Sequence, residues 1–175
     1  MPLFLGGFMN NNVFRNLSYG VYIISCKNKD KITGCTVNSI MQITSSPATI
    51  ALSVNRDNFT NSCINENKKF AVSILSEKSN PLAIGTFGFR SGRDFDKFAV
   101  IEHTFKNDLP IVKDACGYLI CEIKEKIETS THTLFIADVI DGDILNNETP
   151  MTYAYYHNVI KGTSPKNAPT YIANN

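Results

Sequence analysis

The amino-acid sequence predicts a mainly β protein, built as an antiparallel barrel or sandwich with a few short helices. Six runs of β-branched and aromatic residues are bounded by Gly, Pro, Asn, Asp or Ser, as strands usually are. Short polar segments join neighbouring runs, which favours meander connections over the helical crossovers of a parallel sheet. With 175 residues, 43% of them hydrophobic, the chain is long enough for one domain with a substantial core.

The predicted strands follow one another along most of the chain. They cover residues 19–26, 32–44, 48–54, 69–75, 116–128 and 132–141. In the fifth strand Leu119, Cys121 and Ile123 share one parity and charged residues share the other, which is typical of a strand with one solvent-exposed face. The polar segments 28–31 and 129–132 are expected to be tight turns.

Two short helices are predicted between these strands. Thr60 is placed to cap a helix over 61–69, and Pro81 stands at the first turn of a helix over 81–88. After residue 150, aromatic residues are followed by Gly, Pro and Asn, which predicts an extended arm that ends in a loose tail.

The chain is divided accordingly into three parts. Residues 1–12 are expected to be a disordered or non-native leader, 13–160 the folded domain, and 161–175 an extended C-terminal tail. The apolar start lacks a positive segment and is much shorter than the roughly 20 residues that cross a bilayer, so neither a signal peptide nor an anchor is expected. Met9 is a second candidate for the natural start.

Composition argues against several classes of partner and site. The net charge is +1 and no polybasic run occurs, so neither nucleic acid nor a membrane surface is an expected partner. The cysteine count is odd and no C-x-x-C is present, which argues against a zinc ribbon, a rubredoxin-like iron site or a disulfide framework. We therefore expect reduced thiols, a cytoplasmic location and no metal site.

Polar side chains interrupt the second predicted strand and follow the third. Residues 36–39, Thr-Val-Asn-Ser, place polar groups on both faces of the strand, which burial alone does not explain. Thr60 opens a predicted helix, where a hydroxyl and free N–H groups form an anion seat, although a simple helix cap is the commoner role. His132, at the start of the sixth strand, is either structural or in contact with a substrate.

A cluster of charge over residues 91–98 is the most specific local signal. Arg93 and Lys97 lie four residues apart, so on a helical turn both cations would face one way and could clamp a phosphate. An exposed loop with neutralised charges explains the same residues equally well. Neither a Ser-His-Asp pattern nor a Walker or G-x-G-x-x-G motif is present, so any chemistry is expected to belong to a cofactor.

Several separated motifs, in order and spacing, resemble the flavin reductase-like family of FMN-binding split barrels, in particular the flavoredoxins and the flavin reductase domain of high-molecular-weight rubredoxin. These motifs are LSYGVYIIS, TVNSIMQITSSPATIALSVN, TFGFRSGRDFDKF, THTLFIADVID and PMTYAYYHNVIKGTSPKNAPTY. The resemblance covers about residues 13–171 and implies an antiparallel split β-barrel of Greek-key type. It also implies a homodimer that holds FMN non-covalently near the subunit interface and takes hydride from NADH or NADPH.

The resemblance assigns a role to each matching residue. The flavin ring would contact Thr36, Val37, Asn38 and Ser39, with Ser53 and Asn55 nearby. The phosphate would be held by Thr60, Ser91, Arg93 and Lys97. His132 matches a histidine on the nicotinamide side, and Tyr153, Tyr155, Tyr156 and His157 match a C-terminal arm that either reaches the partner's site or packs against it.

The function expected from the resemblance is that of an FMN-dependent NAD(P)H oxidoreductase or electron-transfer flavoprotein. The sequence ends at Asn175 without the four cysteines of a rubredoxin module, so a separate acceptor is expected: a rubredoxin, a flavodiiron protein, free flavin or a ferric complex. The alternatives are a non-enzymatic FMN-binding module and an interaction barrel without cofactor. The sequence does not choose between NADH and NADPH.

Overall fold

The architecture was examined in a computed structural model, which describes residues 9–171. The strands are β1 (Tyr22–Asn28), β2 (Lys31–Val37), β3 (Ile40–Ser45), β4 (Ala48–Asn55), β5 (Lys69–Ile74), β6 (His103–Lys106), β7 (Leu109–Val112), β8 (Gly117–Glu128) and β9 (His132–Ile144). The α-helices are α1 (Phe59–Asn67), α2 (Pro81–Phe89) and α3 (Tyr153–Asn158). Two 3-10 helices cover Asn11–Asn16 and Lys97–Ala99.

Seven strands form one antiparallel sheet in the order β2-β1-β5-β8-β9-β4-β3. The pairs β1–β2, β3–β4 and β8–β9 are hairpins, whereas β1 pairs with β5 and β4 pairs with β9 across long connections. The two edge strands, β2 and β3, follow each other in sequence and are not paired in the sheet. The predicted antiparallel arrangement is therefore confirmed, with Greek-key connections added to the meander.

One core lies inside the curve of this sheet. Ile24 of β1, Leu52 of β4, Phe70 of β5 and Phe135 of β9 belong to a single buried cluster, which Ile64 of α1 completes. Because strands from both halves of the sheet share this cluster, the sheet must wrap around it as a barrel that is open between β2 and β3. The predicted split barrel is thus confirmed.

A second core attaches two helices to the outside of the barrel. Phe87 of α2 and Tyr156 of α3 pack in one cluster with Ile23 of β1, together with Phe98 and Met151. Asn80 and Thr152 cap these helices, since their side chains accept hydrogen bonds from Leu82 N and Tyr155 N. Both helices are thereby fixed near the ends of β1 and β2.

The predicted strand over 32–44 is two strands in the structure. β2 ends at Val37 and pairs with β1, whereas β3 begins at Ile40 and pairs with β4. The break falls at Asn38 and Ser39, and this explains why polar residues there fell on both faces of a single predicted strand. The hairpin of β6 and β7 was not predicted, because each strand has only four residues and Pro110 lies inside β7.

Two predicted helical features also differ. Helix α1 begins at Phe59 with Asn58 at its N-cap position, so Thr60 lies inside the helix and is not its cap. The expected extended arm contains α3, since Thr152 provides a cap for the aromatic residues after it. The Thr152 capping signal was overlooked because the Gly, Pro and Asn residues that follow are typical of extended chain.

Parts of the predicted domain division fall outside the described residues. Residues 1–8, which make up most of the expected leader, and residues 172–175 lie outside the described residues. The 3-10 helix begins at Asn11, inside the expected leader. The boundaries at 12 and 160 remain a prediction. Within 9–171 no helix is long and apolar enough to cross a membrane.

Candidate functional site

A cavity of about 400 Å³ opens where β2 and β4 end, next to the first turn of α1. The strand ends form one wall of the cavity, and helices α2 and α3 form a second. The C-terminal segment, defined here as residues 163–170, forms the third wall. The lining includes seven of the eleven predicted site residues: Thr36, Val37, Asn38, Ser53, Asn55, Ser91 and Arg93. A cavity of this volume, partly apolar and with several convergent polar groups, has the dimensions of a small-molecule site.

The strand wall is fixed by hydrogen bonds to neighbouring elements. Thr36 Oγ1 donates to the carbonyl of Ile84 at 3.0 Å, which ties the end of β2 to α2. Ser53 and Asn55 lie on the outward face of β4, two residues apart, and Asn55 Oδ1 accepts from the N–H of Asp57 at 2.9 Å. Gly88 of α2 also lines the cavity, where the absence of a side chain leaves room.

The first turn of α1 forms one corner of the cavity, which we call the anion-binding corner because its groups suit a negatively charged ligand. The side chain of the N-cap residue Asn58 makes no capping hydrogen bond. Asn61 N donates to the Asn58 carbonyl at 2.9 Å, which leaves Phe59 N and Thr60 N without a hydrogen-bond partner among residues 9–171. The guanidinium of Arg93 lies 5.1 Å from the ring centroid of Phe59, the first residue of this helix. Ser91 Oγ accepts from Arg93 N at 3.2 Å, which orders the loop. A cation, a hydroxyl and a helix N-terminus therefore converge.

Lys97 does not reach this corner, in contrast to the expected clamp with Arg93. Residues 91–95 form a turn, and Asp96 caps the following 3-10 helix, so the two cations point apart. The Lys97 side chain is buried, and its Nζ donates to the carbonyls of Gly34 at 2.6 Å and Phe87 at 3.1 Å. Burial lowers the pKa of Lys97. Its place in the structure is a bridge between β2 and α2.

Thr60 and Ser39 are the other expected ligands of the cofactor that do not line the cavity. Thr60 is buried on the core side of α1, where its carbonyl accepts from Cys26 Sγ at 3.9 Å. Ser39 Oγ donates to Asn38 Oδ1 at 2.9 Å, so it orients the Asn38 amide. Thr60 is the second residue of α1, and the helix register turns its side chain toward the core and away from the cavity, a direction that spacing in sequence did not reveal.

The C-terminal segment is the part of the site that sequence reasoning missed. Asn38 Nδ2 donates to Thr170 Oγ1 at 3.0 Å, and Tyr156 Oη donates to the carbonyl of Thr163 at 2.9 Å. Tyr153 Oη is hydrogen-bonded to both Thr170 and Ser164. The segment was predicted to be a loose tail, yet Lys166 and its neighbours line the cavity. Its hydroxyl content was the signal available in the sequence.

His132 borders the site without lining the cavity. It pairs with Asn55 in the register of β4 and β9, and its Nδ1 lies 2.8 Å from Thr131 Oγ1. Its Nε2 atom is buried and has no hydrogen bond of good geometry among residues 9–171, while the backbone of Asn167 lies close enough to the ring to raise its pKa. Burial lowers the pKa of His132 below its ordinary value, so the imidazole is neutral at pH 7.

An uncovered apolar face of the sheet continues from the cavity. Paired residues in antiparallel strands point to the same side, so Ser53 and Asn55 share their face with Ala51, Leu134 and Ile136. Met41, paired with Ala51, and Ile127, paired with Leu134, extend this face and are 63% and 51% exposed. We call these five apolar residues, Met41, Ala51, Ile127, Leu134 and Ile136, the open face.

Among the described residues, no cluster of three or more His, Cys, Asp or Glu side chains could hold a metal ion. The five cysteines are free and buried, and burial raises the pKa of the Cys121 thiol to about 12. The cavity lining offers hydroxyl, amide and guanidinium groups, together with the carboxylate of Asp57 and the ammonium of Lys166.

Comparisons with known proteins agree with this geometry. The family described as "Flavin reductase like domain" matches residues 14–164 of this chain. High molecular weight rubredoxin of Moorella thermoacetica is 41% identical over 165 residues, 93% of this chain and 72% of that protein.

Two further relatives extend the comparison. The ferric-chelate reductase (NAD(P)H) of Archaeoglobus fulgidus is 33% identical over 94% of this chain and 98% of that protein. The crystal structure of flavoredoxin from Methanosarcina acetivorans superposes with a TM-score of 0.71 at 22% identity, over 83% of this chain and 80% of that one. Family, split barrel and the expected resemblance are thus confirmed: the chain belongs to the flavin reductase-like family.

Proposed function

We propose that this protein is an FMN-dependent NAD(P)H oxidoreductase, which passes electrons from a nicotinamide donor through non-covalently bound FMN to a separate soluble acceptor. The observation that carries the proposal is the anion-binding corner at the far end of a cavity lined by polar strand ends. A ring system and a phosphate on one small molecule match these two features. The relatives named as reductases support the reaction class.

The residues fit FMN in the following way. The ring would lie against Thr36, Val37 and Asn38, where the backbone and amide groups can bond its polar edge. The phosphate would take the first-turn N–H groups of α1 together with Ser91 and Arg93, since a helix N-terminus favours negative charge. Lys97 is left out of this assignment, and the terminal monophosphate is what favours FMN over FAD.

When bound, FMN supplies the capacity to accept a hydride and to release electrons singly. The chain's own residues bind and orient it. Ser53 and Asn55 would hold the ring edge next to β4, and the C-terminal segment would exclude water from the cavity. His132, which borders the cavity, would position the donor or donate a hydrogen bond to developing negative charge.

The open face supports a homodimer in which the cofactor lies near the subunit interface. Exposed apolar patches beside a polar site are typical of protein–protein contacts. The open face shares its side of the sheet with Ser53, Asn55 and His132, so a second copy seated on it would also cover one side of the cavity. A cytoplasmic location agrees with five free cysteines.

The acceptor is proposed to be a rubredoxin or a flavodiiron protein, with free flavin and ferric complexes as alternative substrates. The support is chemical and comparative: the relative with 41% identity is a rubredoxin by name. Mixing reduced protein with each acceptor in turn and recording the reoxidation rate ranks them.

The proposal is tested by anaerobic addition of NADH or NADPH to protein reconstituted with FMN. We expect loss of the oxidised flavin band at a catalytic rate with at least one donor. Chromatography of the released cofactor distinguishes FMN from FAD. If flavin binds and neither donor reduces it, the protein is a non-enzymatic FMN-binding module; if none binds, it is an interaction barrel.

A further inference from the structure

A continuous chain of hydrogen bonds runs from the cavity wall to an imidazole on α3. Asn38 Nδ2 donates to Thr170 Oγ1 at 3.0 Å, and Thr170 Oγ1 donates to Tyr153 Oη at 2.9 Å. Tyr153 Oη is hydrogen-bonded to Ser164 Oγ. Ser164 Oγ in turn lies 3.5 Å from His157 Nε2.

The chemistry of the first residue gives the chain a direction. An amide nitrogen only donates, so the oxygen of Thr170 must accept from Asn38, and its single proton points to Tyr153. Tyr153 then has its one proton free for Ser164, and Ser164 has its own proton free for His157 Nε2. Every hydroxyl therefore points toward the imidazole, an arrangement in which each bond polarises the next.

The two ends of this chain lie in different surroundings. Tyr153 and Ser164 line the cavity, so a proton from a bound molecule can reach their hydroxyls. His157 is half-buried at the other end, beyond the cavity lining, where its imidazole can exchange protons with solvent. Its ring lies edge-on to Tyr153, with 4.3 Å between centroids, which holds the imidazole in place.

The proposed function creates a need for such a path, and the inference depends on that function. Bound FMN that gave two electrons to one-electron acceptors would also release a proton, and the hydroxyls of Tyr153 and Ser164 in the cavity lining could accept it. We propose that Tyr153, Ser164 and His157 form a proton relay that carries the proton released on flavin reoxidation from the cavity to solvent.

The proton balance of the relay is simple. Tyr153 Oη accepts the incoming proton while it passes its own to Ser164, and Ser164 passes its own to His157 Nε2. The imidazolium then releases one proton to water, and neutral His157 is restored once the hydroxyls reorient. No electron moves along the chain. Burial lowers the pKa of His157, so the imidazole is neutral and ready to accept near pH 7.

The same hydrogen bonds also anchor the C-terminal segment, and a purely structural role must be distinguished from a relay. Tyr156 offers a matched control. Its hydroxyl donates to the carbonyl of Thr163 at 2.9 Å, so it anchors the same segment without belonging to the chain. Tyr156→Phe and Tyr153→Phe each delete one hydroxyl from α3, and only the second interrupts the relay.

The experiment follows protons and electrons separately in one stopped-flow measurement. FMN-loaded protein is photoreduced without oxygen in weak buffer and mixed with ferricyanide, which takes electrons and no proton. Flavin absorbance reports electron loss, and a pH indicator reports proton release. We expect both signals to rise together in the natural protein, and proton release to lag about tenfold or more in Tyr153→Phe, Ser164→Ala and His157→Ala.

Two results complete the case for a relay. Added imidazole should restore rapid proton release to His157→Ala, because a diffusible base can replace the missing side chain. Tyr156→Phe should release protons in step with electrons. If all variants stay in step, or if Tyr156→Phe lags as much as Tyr153→Phe, the relay is refuted and the bonds are anchors only.

A second measurement needs no cofactor. A hydrogen bond donated to Nε2 stabilises neutral imidazole, so Ser164→Ala should raise the pKa of His157 in an NMR titration of the flavin-free protein. The other groups near His157 are Tyr153, Tyr156, the backbone of Gly162, which is hydrogen-bonded to the imidazole, and the charge of Arg15, and all remain in this variant. An unchanged pKa contradicts the direction assigned here. Colourless protein after reconstitution overturns the proposed function and the relay together, whereas yellow protein with synchronous signals overturns the relay alone.

Discussion

The assignment of the phosphate to Arg93 makes a sharp prediction for Arg93→Gln. Hydrogen bonds to charged groups contribute about 1.5–3 kcal/mol. Arg93 is exposed, with its guanidinium stacked near Phe59, so solvent screening places its contribution at the lower end, about 1.5–2 kcal/mol. The FMN dissociation constant should then rise roughly 10- to 30-fold.

The assay is a fluorescence titration of cofactor-free protein with FMN and, in parallel, with riboflavin, which has the same ring and no phosphate. Arg93→Gln should weaken FMN binding and leave riboflavin binding within about twofold. Arg56→Gln is the matched control, because Arg56 carries the same charge near the start of β9, is paired with Glu128 at 3.9 Å and does not line the cavity. Its effect on both ligands should be small.

Two outcomes would refute the assignment. An equal loss of FMN and riboflavin affinity would mean that Arg93 shapes the ring site or the loop and does not hold the phosphate. An unchanged affinity for FMN would remove Arg93 from the phosphate site.

Three further predictions concern the residues around the cavity. Lys97→Met should lower the free energy of unfolding by about 1–3 kcal/mol in urea denaturation, because two buried carbonyls lose their hydrogen-bond donor, and the FMN dissociation constant should change by less than about twofold. A large loss of FMN affinity without a loss of stability would mean that Lys97 contacts the cofactor. Ile136→Asp, on the open face, should convert a dimer to monomers in sedimentation experiments and weaken FMN binding, whereas Val100→Asp, an exposed apolar residue outside that face, should do neither; a monomeric natural protein contradicts the interface. Burial depresses the pKa of His132, so below pH 6.5 the unfolded chain binds a proton at this side chain more readily than the native protein does, and the natural protein should lose stability relative to His132→Asn as the pH falls from 7.5 to 5.5. A difference in urea midpoint between the two proteins that stays constant over this pH range would contradict the prediction.

The sequence predicted much of the site because strand residues keep their order and parity in the fold. Thr36, Val37 and Asn38 reach the cavity because they end a strand, and Ser53 and Asn55 reach it because alternate residues share a face. Arg93 was singled out by the charge cluster over 91–98, and Ser91 was assigned through the family resemblance. The resemblance identifies these positions because matching motifs keep their place in a shared fold.

Lys97 and Thr60 show where that inference fails. Both were assigned to the anion because a cation and a hydroxyl fit it chemically, but the direction of a side chain depends on helix register and on competing partners. A turn over 91–95 and a cap at Asp96 direct the Lys97 side chain into the core, where it donates hydrogen bonds to one carbonyl of β2 and one of α2. Chemical type therefore does not determine which of several acceptors a flexible side chain will reach.

The sequence by itself determined the β class, the antiparallel hairpins, the polar residues at 36–39 and the family. Only the tertiary structure decided that the C-terminal segment closes the cavity, that hydrogen bonds connect this segment to His157 of α3, and that Lys97 bridges β2 and α2. The physical reason is the separation in sequence between the residues that interact. Alternation and capping act between residues a few positions apart, whereas a contact such as that of Asn38 with Thr170 spans 132 positions and exists only once the barrel has brought both ends of the chain together.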